Sequence, residues 1–169
     1  SVSGEFLTRV GCGDILPRGA IDRFESGKVV FADGTDETIE AIIWATGYRV
    51  SFPFLADPEL APKDNRLPLF KRMVKPGYGN LFFLGLAQPL PTLVNFAEQQ
   101  SKLVAAAIHG EYFFPSADDM QQVIKADERL HMGHFYEAAR HTMQVDFNAY
   151  CRDLIKEVER GRKRRHKAA

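Results

Sequence analysis

Two short runs place small and hydroxyl-bearing residues where a ligand can approach the backbone. The first, Ile42-Ile-Trp-Ala-Thr-Gly-Tyr48, is an apolar stretch ending in residues with little or no side chain. Ala45 and Gly47 admit a backbone or a planar ligand at close range, and Thr46 adds a hydroxyl. Taken alone, the run also reads as a strand meeting an ordinary glycine turn, the commoner case. The second run is Asn80-Leu-Phe-Phe-Leu-Gly-Leu-Ala-Gln-Pro89, followed by a helix from Thr92. In open α/β sheets, ligands sit beyond the carboxyl ends of strands, near helix N-termini, where backbone N–H groups and the helix dipole favour negative charge. Gly85 would let the backbone pass close to such a ligand, and Gln88 and Thr92 could donate hydrogen bonds. A plain strand–loop–helix connection has the same appearance.

Other chemistry has less behind it. His131, His134, Glu137 and His141 could share a helical face and suit a metal, but Gly133 interrupts them and a solvated face is the better reading, so no metal site is expected. Asp118-Asp119 and Asp127-Glu128 are helix-start acids rather than an acid–base couple. No Ser-His-Asp or Cys-His arrangement has supporting local sequence, and no catalytic residue is assigned. Cys12 and Cys151 form no Cys-x-x-Cys pair, which fits reduced thiols and a cytoplasmic location.

The elements that must position these residues follow from local pattern. Residues 1–55 read as β-rich: a weak strand within Gly19 to Ser26, a strand Lys28 to Asp33, a tight turn at Asp33-Gly34-Thr35, then a strand Ile39 to Ala45 covered on both faces. Residues 56–80 are punctuated by proline and glycine and leave room for one short strand, Leu67 to Val74. Asn80 to Leu86 reads as a buried strand. Thr92 caps a helix to about His109, stopped by Gly110. The remainder is helical: one helix capped by Ser116 and interrupted at Gly133, one over His134 to His141, and one from near Asp146 toward Arg160.

Composition bounds the rest. Hydrophobic residues make up 45% and charged residues 26%, as in a soluble globular protein. The net charge of zero is unevenly placed: six Lys and Arg lie among the last ten residues, leaving 16 bases against 22 acids elsewhere. A mildly acidic body argues against a nucleic-acid groove on the fold itself; the basic end could touch nucleic acid or an acidic membrane, but a solvated helix terminus is the better reading. No apolar stretch approaches the ~18 residues of a membrane span, and the first sixteen residues lack a secretory signal. The chain starts without Met, as a fragment or processed piece would.

An ordered series of short motifs resembles the flavin-containing monooxygenases. It comprises Phe31-Ala-Asp-Gly-Thr35, Ile42-Ile-Trp-Ala-Thr-Gly-Tyr48, Phe52-Pro-Phe-Leu55, Leu69-Phe70-Lys71, Asn80-Leu-Phe-Phe-Leu-Gly85, Gln88-Pro89, Glu98-Gln-Gln100 and Pro115-Ser116. The resemblance covers about residues 10 to 120. It implies an α/β fold, part of a two-dinucleotide-binding-domain flavoprotein: residues 1–48 from the NADPH domain and hinge, 49–115 from the FAD domain, and 116–169 a helical appendage. It implies cofactor contacts from Thr46, Gly47, Tyr48, Gly85, Gln88, Thr92 and Leu93. The implied reaction uses FAD, NADPH and O₂ to oxygenate a soft nucleophile, an amine nitrogen or a sulfide sulfur, through a flavin hydroperoxide.

There are departures. Neither Gly-x-Gly-x-x-Gly turn of the family is present: Gly11-Cys-Gly13 has no third glycine, and Gly77-Tyr-Gly79 precedes a strand pattern. Asn95 stands where the family usually has proline, and Ser101 where Arg is common. The chain by itself is therefore expected not to hold FAD tightly. The alternative is a non-catalytic module that docks on a partner chain or on its own copy through apolar faces left uncovered.

Overall fold

The computed structural model describes residues 4–90, 92–134 and 143–168. They form a mixed α/β chain of two compact units, Ser1–Thr46 and Gly47–Ala169.

The first unit opens with helix α1 (Gly4–Cys12), in a region expected to be β-rich. Gly13, at φ 81°, ends it, and the Asp14 N–H reaches back to the Arg9 carbonyl at 3.0 Å. Strands β1 (Ile21–Glu25), β2 (Lys28–Phe31) and β3 (Asp36–Thr38) then form an antiparallel meander. The turn between β2 and β3 is the expected one. Thr35 donates from its N–H (2.9 Å) and its hydroxyl (2.6 Å) to Asp33 Oδ1, and Gly34 takes φ 84°.

The strand expected at Ile39 to Ala45 does not form. Lys28 at the start of β2 pairs with Thr38, and Ile39 makes the last bond, to the Gly27 carbonyl. Beyond it no described strand lies alongside, so the apolar run has nothing to bond. Ile43 is 93% exposed, and Trp44 makes an edge contact with Phe24 at 5.8 Å.

In the second unit, the stretch expected as strand Leu67 to Val74 is instead a tight reversal. Lys71 (φ 49°) and Arg72 (φ 58°) are both left-handed, and Phe70 and Val74 form a bridge across them. Two successive left-handed residues reverse the chain and end any ladder. Of the expected strand Asn80 to Leu86, only a bridge from Phe82 to Val74 and a bond from the Phe83 N–H to the Met73 carbonyl remain.

Local capping signals, by contrast, set the helices. Helix α2 (Leu93–Ile108) is capped by Thr92. Helix α3 (Ala117–His134) starts after Ser116, whose hydroxyl accepts the Asp119 N–H at 3.1 Å. It runs through Gly133, where an interruption was expected. The expected helix His134 to His141 lies mostly outside the described residues. Strand β5 (Gln144–Asp146), absent from the helical expectation for 116–169, pairs in parallel with β4 (Gln88–Leu90). Helix α4 (Phe147–Ala168) follows at once, with Asp146 Oδ1 accepting the Ala149 N–H at 2.8 Å.

The main core joins Phe70, Met73 and Val74 of the reversal to Leu103 of α2, Ile124 of α3 and Leu154 of α4. A second cluster, Leu60, Leu67, Leu69 and Phe83, is edged by Tyr78. There the Tyr78 hydroxyl donates to Asp57, which also caps a 3₁₀ turn at Pro58–Leu60 by accepting the Glu59 N–H. The hydroxyl, then the amide, hold the Asp57 carboxyl below its usual range, and Asp57 pushes the phenol up to about 12. A depressed carboxyl contributes stability that is present above its unfolded value, about 3.9, and lost as pH falls through the folded value. Wild type is therefore expected to lose stability more steeply below pH about 4 than Tyr78→Phe, measured as urea midpoints across an acid series.

Candidate functional site

Four of the seven residues singled out by the sequence meet at one corner of the second unit. Gly85 takes φ 74°, a conformation that L side chains rarely adopt. A Cβ there would lie 3.6 Å from Leu93 Cδ1 and 3.9 Å from Ala97 Cβ. These are ordinary contacts, so glycine is required by its dihedral rather than by crowding. The close neighbour of this backbone is the first turn of α2.

Thr92 is extended (φ −134°, ψ 138°), and its Oγ1 accepts the Asn95 N–H at 3.3 Å. A proline at 95 would lack that donor, so the departure at this position gives the cap its partner. The first turn of α2 holds no acidic residue, and Leu93, Val94 and the nearby Leu84 are about half to three-quarters exposed. Gln88 is exposed, and its N–H is taken by the Met143 carbonyl at 2.6 Å. The corner therefore combines a partial positive charge at a helix start with exposed apolar side chains.

The other three, Thr46, Gly47 and Tyr48, lie at the division between the two units. Thr46 belongs to the first unit, and Gly47 (φ 85°) opens the second. Tyr48 is 96% exposed, and its carbonyl accepts the Asn65 amide at 3.0 Å, while Asn65 Oδ1 accepts the Val50 N–H. The described residues just before Gly85 form no strand, so the expected strand-end geometry is replaced by a turn resting on a helix.

Sequence reasoning missed a residue below the corner. Gln100, fully buried, accepts the Gly85 N–H on Oε1 at 2.7 Å. Its signal was available: it shares the face of α2 that buries Phe96, Leu103 and Val104, where a polar residue is out of place unless bonded. Among the described residues, no three of His, Cys, Asp or Glu gather as metal ligands, and the His131 to His141 candidate falls on side chains outside the description.

Comparison with known proteins supplies the context. The family model described as flavin-binding monooxygenase-like matches residues 2–163. The chain belongs to that family. It is 30% identical over 150 residues to flavin-containing monooxygenase 5 of Oryctolagus cuniculus, covering 87% of this chain and 28% of that protein. It is 32% identical over 156 residues to dimethylaniline monooxygenase (N-oxide-forming) 2 of Pan troglodytes, covering 89% and 29%. The structure of S-allyl-L-cysteine S-oxygenase from Allium sativum matches with TM-score 0.66 and 29% identity, over 82% of this chain and 33% of that one. The flavin-binding monooxygenase-like chain thus spans about a third or less of the length of these relatives.

Its residues fit a flavin in part. The Gly85–α2 corner suits an apolar planar ring with an electron-rich edge. The glycine pairs do not suit a dinucleotide pyrophosphate. Gly13 closes the C-terminal end of α1, where the helix dipole is negative, and Gly77-Tyr-Gly79 lies in a loop with no helix behind it.

Proposed function

We propose that this chain is the flavin-facing portion of an FAD- and NADPH-dependent monooxygenase that oxygenates soft nucleophiles. The observation that carries the reading is the Gly85–α2 corner, an exposed, acid-free helix start beside a left-handed glycine in a chain of this family. The substrate class rests on the names of relatives, one forming N-oxides and one oxygenating a sulfide sulfur.

FAD, bound with its ring at this corner, would supply the redox and oxygen-transferring chemistry with NADPH and O₂. The chain's own part is to orient and shield. The first-turn N–H groups of α2 would favour the electron-rich edge of such a ring, and Leu84, Leu93 and Val94 would cover its face and exclude water. The Thr92 cap fixes where α2 begins. Polypeptide other than these 169 residues would supply the pyrophosphate cradle.

The test uses riboflavin, which carries the ring without the pyrophosphate. Titrated into ¹⁵N-labelled chain, it is expected to shift amides from Leu84 to Asn95 with a Kd of about millimolar. Shifts scattered over the surface, or none at saturation, defeat the reading. FAD mixed with the chain is expected not to remain bound in stoichiometric amount through gel filtration, because the sequence has no Gly-x-Gly-x-x-Gly turn to grip its phosphates.

A second reading is a non-catalytic module that docks on a partner chain, favoured by exposed Tyr48 and Phe54 at 96% and 79%. It predicts no riboflavin shifts and association in light scattering. A stable monomer counts against it.

A further inference from the structure

Gly85 lies between the isolated bridge at Phe82 and the short strand β4 that starts at Gln88, so no ladder bonds reach the turn itself and side chains must hold its shape. A backbone N–H can only donate, so the Gln100 atom facing Gly85 at 2.7 Å is the carbonyl oxygen. That fixes the other end of the amide. Gln100 Nε2 donates to Tyr150 Oη at 3.0 Å, and the Tyr150 hydroxyl proton is left to donate to the Lys71 carbonyl at 2.7 Å. The direction of each bond is determined by the one before it.

The far end is itself clamped by α4. Asp153, one turn beyond Tyr150, takes the Lys71 ammonium at 2.6 Å, with Asp127 of α3 at 3.7 Å. Lys71 is 4% exposed and left-handed at φ 49°, so one face of α4 holds both its carbonyl and its charge. Downstream of Gly85, β5 pins Gln88–Leu90 by parallel pairing. The segment after residue 142 thus grips the turn from two sides.

We propose that Gln100 and Tyr150 are positioning residues, a one-way relay from Gly85 to the Lys71 carbonyl that holds the flavin-facing turn in register with the start of α2. The relay rests on the flavin reading above only for what the turn faces, and the test separates the two.

Tyr150→Phe keeps the ring against Phe96, 4.4 Å away, and removes only the hydroxyl. In the full 169-residue chain, hydrogen exchange of the Gly85 amide is expected to rise about tenfold. The Leu103 amide in α2 and the Phe31 amide in the first unit should keep their rates. Gln100→Met, which keeps the shape and removes both bonds, should raise Gly85 exchange further. Should it fail to fold, Tyr150→Phe decides alone. A Gly85 rate that is unchanged, or that rises by the same factor as Leu103, overturns the relay, since uniform acceleration is what a merely structural role gives.

Riboflavin supplies the second arm. Its shifts at Gly85 and Leu93 are expected to weaken in Tyr150→Phe, and equal shifts in both proteins overturn the positioning role. Faster Gly85 exchange with no riboflavin shifts in either protein leaves the relay standing and removes the flavin reading.

Discussion

Gly161→Ala is expected to destabilise the second unit by about 3 kcal/mol, because a methyl group there meets a buried ring. A Cβ at Gly161 would lie 2.0 Å from Tyr112 Cδ2 and 2.9 Å from its Cγ, where ordinary contact begins near 3.4 Å. The ring has nowhere to retreat. Tyr112 is 3% exposed, its hydroxyl donates to the buried Glu157 at 3.0 Å, and Arg164 bonds the same carboxylate. Moving the ring breaks that group of bonds, and moving α4 breaks its packing on α2.

Helix propensity acts in the opposite sense. Replacing an interior helical glycine by alanine gains about 1 kcal/mol, too little to offset the clash. Gly11→Ala in α1 is the internal contrast, since nothing lies within 4 Å of a Cβ there and only the propensity gain remains. The check is urea unfolding followed by circular dichroism, with the midpoint expected to fall at unchanged slope. Trp44, the sole tryptophan, lies in the first unit, so its fluorescence gives a control transition that should not move. A Gly161→Ala midpoint equal to wild type would show that α4 does not sit on Tyr112 as described.

Phe96→Ala is expected to cost about 3–5 kcal/mol, the range for deleting a fully buried aromatic ring. Phe96 is 0% exposed, and its ring packs on Tyr150 at 4.4 Å. The loss includes the apolar transfer energy, the cavity left where α2 meets α4, and an aromatic pairing of about 0.5–1.5 kcal/mol. Phe96→Leu should recover more than half of it, because most of the volume is restored. The same cavity frees the Tyr150 ring, so Gly85 exchange should rise in Phe96→Ala by more than in Tyr150→Phe. Equal urea midpoints for Phe96→Ala and Phe96→Leu would contradict the packing at this junction.

The candidate site was legible in part. The order of motifs from Phe31 to Ser116 pointed to the family that matches residues 2–163. Gly85 was singled out for close approach of a ligand; the structure adds that it takes φ 74° and that a Cβ there would meet Leu93 and Ala97. Gln100 was quoted only as part of Glu98-Gln-Gln100. Its partner Tyr150 comes from a segment to which no chemistry was assigned, and no local pattern links two residues so far apart. The relay exists only because α2 and α4 pack together.

What the sequence determined by itself are the features whose partners lie within a few residues. Thr92, Ser116 and Asp146 cap their helices, and Asp33 builds its turn with Thr35, because each side chain reaches its own backbone whatever the rest of the chain does. Tertiary structure decided which apolar runs become strands. Ile39 to Ala45 and Asn80 to Leu86 have strand-like composition, yet a strand needs another lying alongside. The four residues of β2 are used up at Thr38, and the left-handed pair Lys71-Arg72 turns the chain before a ladder can grow. Composition gives an apolar run its tendency to be buried, and only the packed chain supplies the hydrogen-bonding neighbour that makes it a sheet.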